Sequence, residues 1–374
     1  MFSPFGFYLL LAFTSAYFAF RSEYKRKEAE GLIHAFSRTV HKTHSITWAL
    51  GGFLVGAKLV YWWQYRSMYI GTPQEYIFSS RGSLAGGLAT GLATWLVVRR
   101  LRTAVPGHAE QAPAAGASEL IHPARQPTTE LIHPYQLMDT LLFYCGIFGF
   151  AGALFFSRFE SPASWEHISF GNLFTFSGFN YYGALIAGAL TYLHINRRYG
   201  IRPAIAADIG SPGMMLAYAI GRIGCHVAGD GDWGIVNEKP LPSWLRWLPE
   251  WLWADRYPHN SVHQGIYIPG CTGNNCTVLP TPVYPTPLYE ATICLCLFFL
   301  LWSLRRKIKR PGLLFAFFAI LNGAERFTIE FIRINPRYSI GSWNLSQAQF
   351  LALGWILTGL TVLIFTTRKN DGLS

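Results

Sequence analysis

Charge is what this sequence lacks. Only 14% of its 374 residues are Asp, Glu, Lys or Arg, against about 25% in ordinary globular chains. Acids are the scarcer sign, 20 against 31 bases. A chain so poor in charge and rich in apolar groups is not a disordered tail. Cysteine is sparse too, six in all, which excludes a disulfide-built scaffold. Cys145, Cys225, Cys294 and Cys296 lie in or at apolar runs and read as small packing residues. No basic stretch precedes the apolar run Met1–Phe20, and basic residues follow it. It therefore reads as a first span with its N-terminus outside, not as a cleavable leader.

Apolar and aromatic residues fill the space that charge leaves. The chain is 51% hydrophobic and 16% aromatic, with a mean hydropathy of +0.22. This composition predicts an all-α fold, a polytopic integral membrane helical bundle. About 20 apolar residues in a helix cross roughly 30 Å of hydrocarbon. Nine runs qualify: 4–20, 45–63, 82–98, 137–156, 179–195, 211–228, 287–304, 312–332 and 345–366. The loops 21–44, 99–136, 196–210, 305–311 and the tail after 366 carry 20 Lys and Arg, whereas the alternate loops carry 8. The positive-inside rule makes the first set cytoplasmic, with the N-terminus outside and the C-terminus inside. The net charge of +11 does not indicate nucleic acid, because the bases sit in short clusters between apolar runs.

The chain reads as one membrane domain, 1–374, with three distinct segments. Residues 45–98 form a helical hairpin that repeats a later one at an offset of about 97 residues. Gly56-Ala57-Lys58-Leu59-Val60-Tyr61 resembles Gly152-Ala153-Leu154-Phe155-Phe156, and Gly86-Gly87-Leu88 resembles Gly183-Ala184-Leu185. Gly87/Gly91 and Ala184/Gly188 give small-residue faces for close helix contact. The Ala/Pro/Thr/His-rich stretch within 99–136 reads as a cytoplasmic linker. The loop 229–286 holds Trp233, Trp244, Trp247, Trp251 and Trp253 among many prolines. It predicts a small ordered extracytoplasmic cap at the membrane interface, where Trp is favoured. Within it, Cys271 and Cys276 are disulfide candidates if the loop lies outside. A metal site is not expected there, since two sulfurs at that spacing lack two further ligands.

Ionisable groups beside apolar runs carry the chemistry. A helix-centre Arg costs about 3 kcal/mol on insertion scales. Arg222 lies at the end of one run between Gly221 and Gly224. Its planar fork suits phosphate, or it is a structural partner of Asp230 or Asp232. Arg326 and Glu330 are i,i+4 neighbours on one helical face, with Arg333 continuing it. They form either a charged site or a salt-bridged helix end. Asp230 and Asp232 flank Gly231, and such a pair forms a turn, binds a cation or assists proton transfer. His226 near the same mouth is a structural group or a base. Tyr182 near the outer end of its span is a belt residue or a ligand contact. Glu290 in the first turns of the seventh run is favoured by the helix dipole.

These motifs converge on one family. Residues 221–234, Gly-Arg-Ile-Gly-Cys-His-Val-Ala-Gly-Asp-Gly-Asp-Trp-Gly, resemble the signature of the prolipoprotein diacylglyceryl transferases. The stretch from Phe176 to Gly188, the Pro-Thr-Pro-Leu-Tyr-Glu from Pro285, the Glu-Arg-Phe-Thr-Ile-Glu-Phe-Ile-Arg from Glu325 and the Leu-Ser-Gln-Ala-Gln-Phe from Leu345 are similar to its other motifs, in the same order. The resemblance covers about 137–366 and implies a seven-span core, to which the hairpin and linker are additions. It implies transfer of the diacylglyceryl group of phosphatidylglycerol to the lipobox cysteine of a prolipoprotein, in a bacterial cytoplasmic (inner) membrane. A thioether forms and glycerol 1-phosphate leaves. Arg222 and Arg326 are then the phosphatidylglycerol contacts, and Glu330 the partner acid. No cofactor or metal is implied, and the partners are the two substrates and the bilayer.

The departures fall at informative places. Tyr182 stands where the family has its histidine, Cys225 where it has Asn, Phe5 where it has Tyr, and Tyr284 where it has His. Either a histidine base is not obligatory, or Tyr182, His226 or Asp230 replaces it. A transporter or a lipid-binding relative without catalysis is the rival reading. Charges gathered near one membrane face, rather than at two matched broken helices, count against the transporter.

Overall fold

The computed structural model describes residues 4–39, 43–69, 83–104, 129–157, 181–273, 275–340 and 343–368. Phe176–Asn180 of the second motif, residues 105–128 of the linker and residues 70–82 lie outside them. Nine α-helices stand among the described residues: α1 (Pro4–Ala29), α2 (Thr43–Tyr69), α3 (Leu84–Ala104), α4 (Met138–Ser157), α5 (Tyr181–Arg198), α6 (Pro203–Ala228), α7 (Thr286–Leu304), α8 (Leu313–Ile329) and α9 (Gln347–Arg368). The fold is thus mostly helical. Four stretches, Pro134–Ser157, Pro203–Ala228, Thr286–Leu304 and Gln347–Arg368, are long and apolar enough to cross a membrane. Three short antiparallel pairs complete the described structure: β1 (Phe36–Thr39) with β2 (Thr129–Ile132), β3 (Ile266–Tyr267) with β4 (Thr277–Val278), and β5 (Arg337–Ile340) with β6 (Trp343–Ser346).

Helix α1 runs on to Ala29 and α2 to Tyr69, nine and six residues past the expected spans, and two further boundaries differ. Helix α6 begins at Pro203, eight residues before the expected span, so 203–210 is helix and not loop. Pro203 occupies the first turn, where its missing N–H costs nothing. The interior Pro212 is tolerated, and the neighbouring Ser211 hydroxyl donates to Ala207 O at 2.7 Å. The other is the linker 99–136. Helix α3 runs on to Ala104, and 129–132 pairs with 36–39 in the register Phe36↔Ile132 to Thr39↔Thr129.

The chain divides into two compact units. The first comprises Met1–His34, Pro134–Cys145 and Ala189–Ser374. Its core joins α6, α7 and α8 through Met215, Ala219, Cys294, Phe298, Leu301, Leu314 and Phe318. Helix α1 packs on α6 where glycines remove bulk: a Cβ on Gly224 would meet Tyr8 Cβ at 2.8 Å. Helices α8 and α9 approach closely at Gly323 and Gly359, each facing an isoleucine of the other helix. At one end of this unit Asp208 accepts the backbone N–H groups of Gly312 and Phe315, at 2.7 and 2.8 Å, and so ties α6 to the start of α8. Nearby, the Arg305 Nε meets the buried Glu23 at 2.7 Å, tying α1 to the end of α7.

The second unit comprises Ala35–His133 and Gly146–Gly188. It holds both copies of the internal repeat. In the first hairpin a Cβ on Gly86 would lie 2.9 Å from Gly56 O. In the second, a Cβ on Gly152 would lie 2.5 Å from Gly183 O. Equivalent glycines of the repeat therefore lie against each other's backbone in each hairpin.

Candidate active site

The first unit gathers its charges at the end of the α6–α7–α8 core opposite Asp208. Arg222 lies one turn beyond the core residue Ala219, and Glu290 one turn before Cys294. The chain leaving α6 turns at Gly229 and Gly231, both with positive φ (57° and 95°), and brings Asp232 back over the helix end. Backbone bonds fix it there: Thr286 Oγ1 donates to Asp232 O (2.7 Å), Gly234 N to Tyr284 O (2.8 Å) and Ile235 N to Ile332 O (2.8 Å).

Three guanidiniums and three carboxylates then interlock. Arg222 pairs with Asp232, and its Nε meets Glu290 Oε2 at 2.7 Å. The Tyr218 hydroxyl donates to the same oxygen at 2.9 Å, and its ring lies 5.0 Å from the Arg222 guanidinium carbon. Arg333 donates to Glu290 Oε1 at 2.7 Å and to Asp232 Oδ1 at 2.5 Å. Arg326 Nη1 lies 3.0 Å from Glu330 Oε2 and 3.6 Å from Glu290 Oε1. Asn335 Nδ2 donates to Glu330 Oε1 at 2.6 Å. Glu290 and Glu330 are 0% and 1% exposed, so every charge here depends on its partners. Arg333 Nε and Glu330 Oε2 are nonetheless buried without a hydrogen bond, and among the described residues of the network Arg326 is the guanidinium that forms none at all. Its ion pairs lack hydrogen-bond geometry, and its Nη1 is a buried donor without an acceptor.

The expected site residues separate. Arg222, Arg326 and Glu330 meet in this network. Asp230 lies at its edge, where its Oδ1 accepts the Asp232 N–H at 3.3 Å, and where its carboxylate, Asp232 and the Cys225 thiol lie within 4.8 Å of one another. Burial and then the neighbouring Asp232 push the Asp230 carboxyl above its ordinary range. Burial also acts on Asp232, but Arg222 and Arg333 outweigh it and hold that carboxyl below its ordinary range. His226 has other partners: its Nδ1 pairs with the Tyr257 hydroxyl at 3.0 Å and its ring stacks on Trp251. Tyr182 lies in the first turn of α5, in the second unit. Cys271 and Cys276 are joined in a disulfide.

Two residues that the sequence singled out have wider roles than expected, and one, Tyr218, was not singled out. Glu290 is the acid common to all three arginines and not merely a favourable helix-start charge. Arg333 is tied to Asp232 as well as to its own helix end. Tyr218 was legible only as an apolar-run aromatic, although it stands four residues before Arg222. Glu325 is buried with neither carboxylate oxygen hydrogen-bonded.

Residues 116–365 match the family profile described as prolipoprotein diacylglyceryl transferase. Among curated proteins, the phosphatidylglycerol–prolipoprotein diacylglyceryl transferase of Dehalococcoides mccartyi is 27% identical over 225 residues, 59% of this chain and 74% of the relative. The protein of the same name from Streptococcus sanguinis is 29% identical over 52% of this chain and 64% of its own. That of Clostridium tetani is 30% identical over 50% and 63%.

Proposed function

Since this chain belongs to the prolipoprotein diacylglyceryl transferase family, we propose that it moves the diacylglyceryl group of phosphatidylglycerol to a cysteine thiol of a prolipoprotein. The observation that carries the reading is Arg326: a guanidinium whose Nη1 is turned to Glu290 and Glu330 and whose other nitrogens make no hydrogen bond among the described residues, which leaves them for an anionic oxygen. The lipid phosphate binds Arg326, with Arg222 as the second contact, while Glu330 orients Arg326. The nucleophile is the thiolate, and a free thiol has a pKa of about 8.5, so the proton must be taken up. Asp230 accepts it; a carboxyl raised towards neutrality is the better-matched base. The sulfur then attacks the terminal glyceryl carbon. A C–S bond forms, the C–O bond to phosphate breaks, and its electron pair leaves with glycerol 1-phosphate. The guanidiniums stabilise the charge that develops on that leaving group. The scheme uses no metal and no soluble cofactor. His226 acts through Tyr257 in shaping the cap. Tyr182 is assigned an orienting hydrogen bond on the motif alone.

The same reading gives nine membrane crossings, with the cap outside and 305–311 in the cytoplasm. Its test is rescue of a bacterium depleted of its own transferase, with thioether formation followed by mass spectrometry. Rescue is expected. Stable insertion and phosphatidylglycerol binding without thioether formation would make the chain a lipid-binding relative instead.

A further inference from the structure

A second feature of the cap lies apart from the charge network. Along 241–252, Leu241, Leu245, Leu248 and Leu252 recur at four- and three-residue steps, and Trp244, Trp247 and Trp251 run beside them. The four leucines, with Trp253 and Tyr289, line an apolar cavity of about 200 Å³. In the other stripe Trp251 stacks on His226, whereas Trp244 and Trp247 point outward, 73% and 77% exposed. Arg246 is exposed between them. Hydrogen bonds hold this arrangement, from Asn237 Nδ2 to Trp253 O (2.8 Å) and from Trp253 Nε1 to Lys239 O (3.0 Å).

The level of the cavity is set by Tyr289, in the first turn of the candidate membrane span α7. From there Ile293, Cys296 and Leu300 follow at helical spacing and are exposed, so an apolar stripe runs down the span from the helix position that lines the cavity. Large exposed indoles are at home at a bilayer interface, where the ring is shielded and the N–H stays wet.

The occupant follows from the lining. The Tyr289 hydroxyl lies 3.4 Å from Trp253 O, and the Trp253 indole N–H is already spent on Lys239. A peptide placed here would bury backbone groups without partners; an alkyl chain needs none. We propose that 241–253 docks into the headgroup layer through Trp244 and Trp247, and that the cavity behind it holds a segment of one acyl chain of a membrane phospholipid. This site is separate from the reacting centre and independent of the transfer reaction.

The full chain is reconstituted in vesicles of phosphatidylcholine alone, so that no donor lipid is present, with bromines on the acyl chains close to the headgroup. The expected result is strong tryptophan quenching that falls when Trp244 and Trp247 are replaced together by Phe. With a photo-crosslinking p-benzoylphenylalanine replacing Leu245, the expected product is a phospholipid adduct, formed equally when a lipobox signal peptide is added. Quenching unchanged in the double variant would overturn the docking. An adduct to the signal peptide in place of lipid would make the cavity a peptide site, and the proposal would fall. Neither outcome bears on thioether formation, which these vesicles cannot support.

Discussion

Arg326 and Arg333 lie seven residues apart at one helix end, yet different things hold them. Arg333 donates two short hydrogen bonds to buried or half-buried acids; Arg326 donates none. Removing one partner of a buried pair costs about 3–5 kcal/mol, so Arg333→Ala is expected to unfold much of the protein in a thermal melt in detergent. Arg326→Ala strips the buried Glu330 of its nearest cation and is also expected to melt below the parent, though by less than Arg333→Ala, and to lose transfer by about a hundredfold or more; Arg326→Lys keeps the charge and the melt but is impaired in transfer because the planar fork is lost. The reverse pattern would remove the phosphate contact from the mechanism. Asp230 and Asp232 separate by pH. The depressed carboxyl of Asp232 contributes stability above the ordinary carboxylate range and loses it as pH falls through its folded pKa. The raised carboxyl of Asp230 works the other way: its contribution is present in acid and is lost as pH rises through its folded pKa. Asp230→Asn should therefore gain in Tm over the parent as pH climbs from about 4. A gap that stays constant with pH would show that the carboxyl is not strained. Arg222, Arg326 and Glu330 were legible because a charge in an apolar run stands out. The role of Glu290 was not, since its partners Arg222 and Arg333 are far from it along the chain and only packing of α6, α7 and α8 joins them.

Among elements, the helices announced themselves as apolar runs, but their ends and partners did not. Asp208 and Pro212 look like loop residues in α6, and only the backbone N–H groups of Gly312 and Phe315 explain why a carboxylate sits inside a helix. Strands β1 and β2 are four residues each and about ninety residues apart, too short and too distant for a local pattern. The glycine repeat was legible, and it makes a testable distinction. A side chain at Gly183 or Gly86 enters the facing helix, whereas nothing lies within 4 Å of Gly221. Gly183→Val and Gly86→Val should each destabilise by about 1–3 kcal/mol, while Gly221→Ala should leave the melt unchanged. A similar shift for all three in thermal melts would mean that the close approaches do not hold the hairpins together.

On the scale of the whole molecule, the β1–β2 pair brackets everything between 40 and 128, including the extra hairpin, and the family match begins only at 116. Its two ends meet side by side at Thr39↔Thr129, which is how a segment can be inserted or removed without moving the rest. Replacing 40–128 by a short Asn-Gly turn should leave a chain that still inserts and transfers. Loss of transfer with normal insertion would make the hairpin part of the catalytic apparatus.

The shared carboxylate of Glu290 has a consequence for how the chain is made. It is synthesised about seventy residues after Arg222, a delay of several seconds at roughly 5–20 residues per second. Throughout that interval α6 must enter the membrane with its guanidinium lacking its final partner, and Asp232, ten residues on, is the acid within reach. Asp232 is thus expected to serve Arg222 as its partner while the chain is still being made. Asp232→Asn should reveal this as a fraction of molecules with α6 stalled at the translocon, counted by pulse-labelling, before any defect in the finished protein is seen.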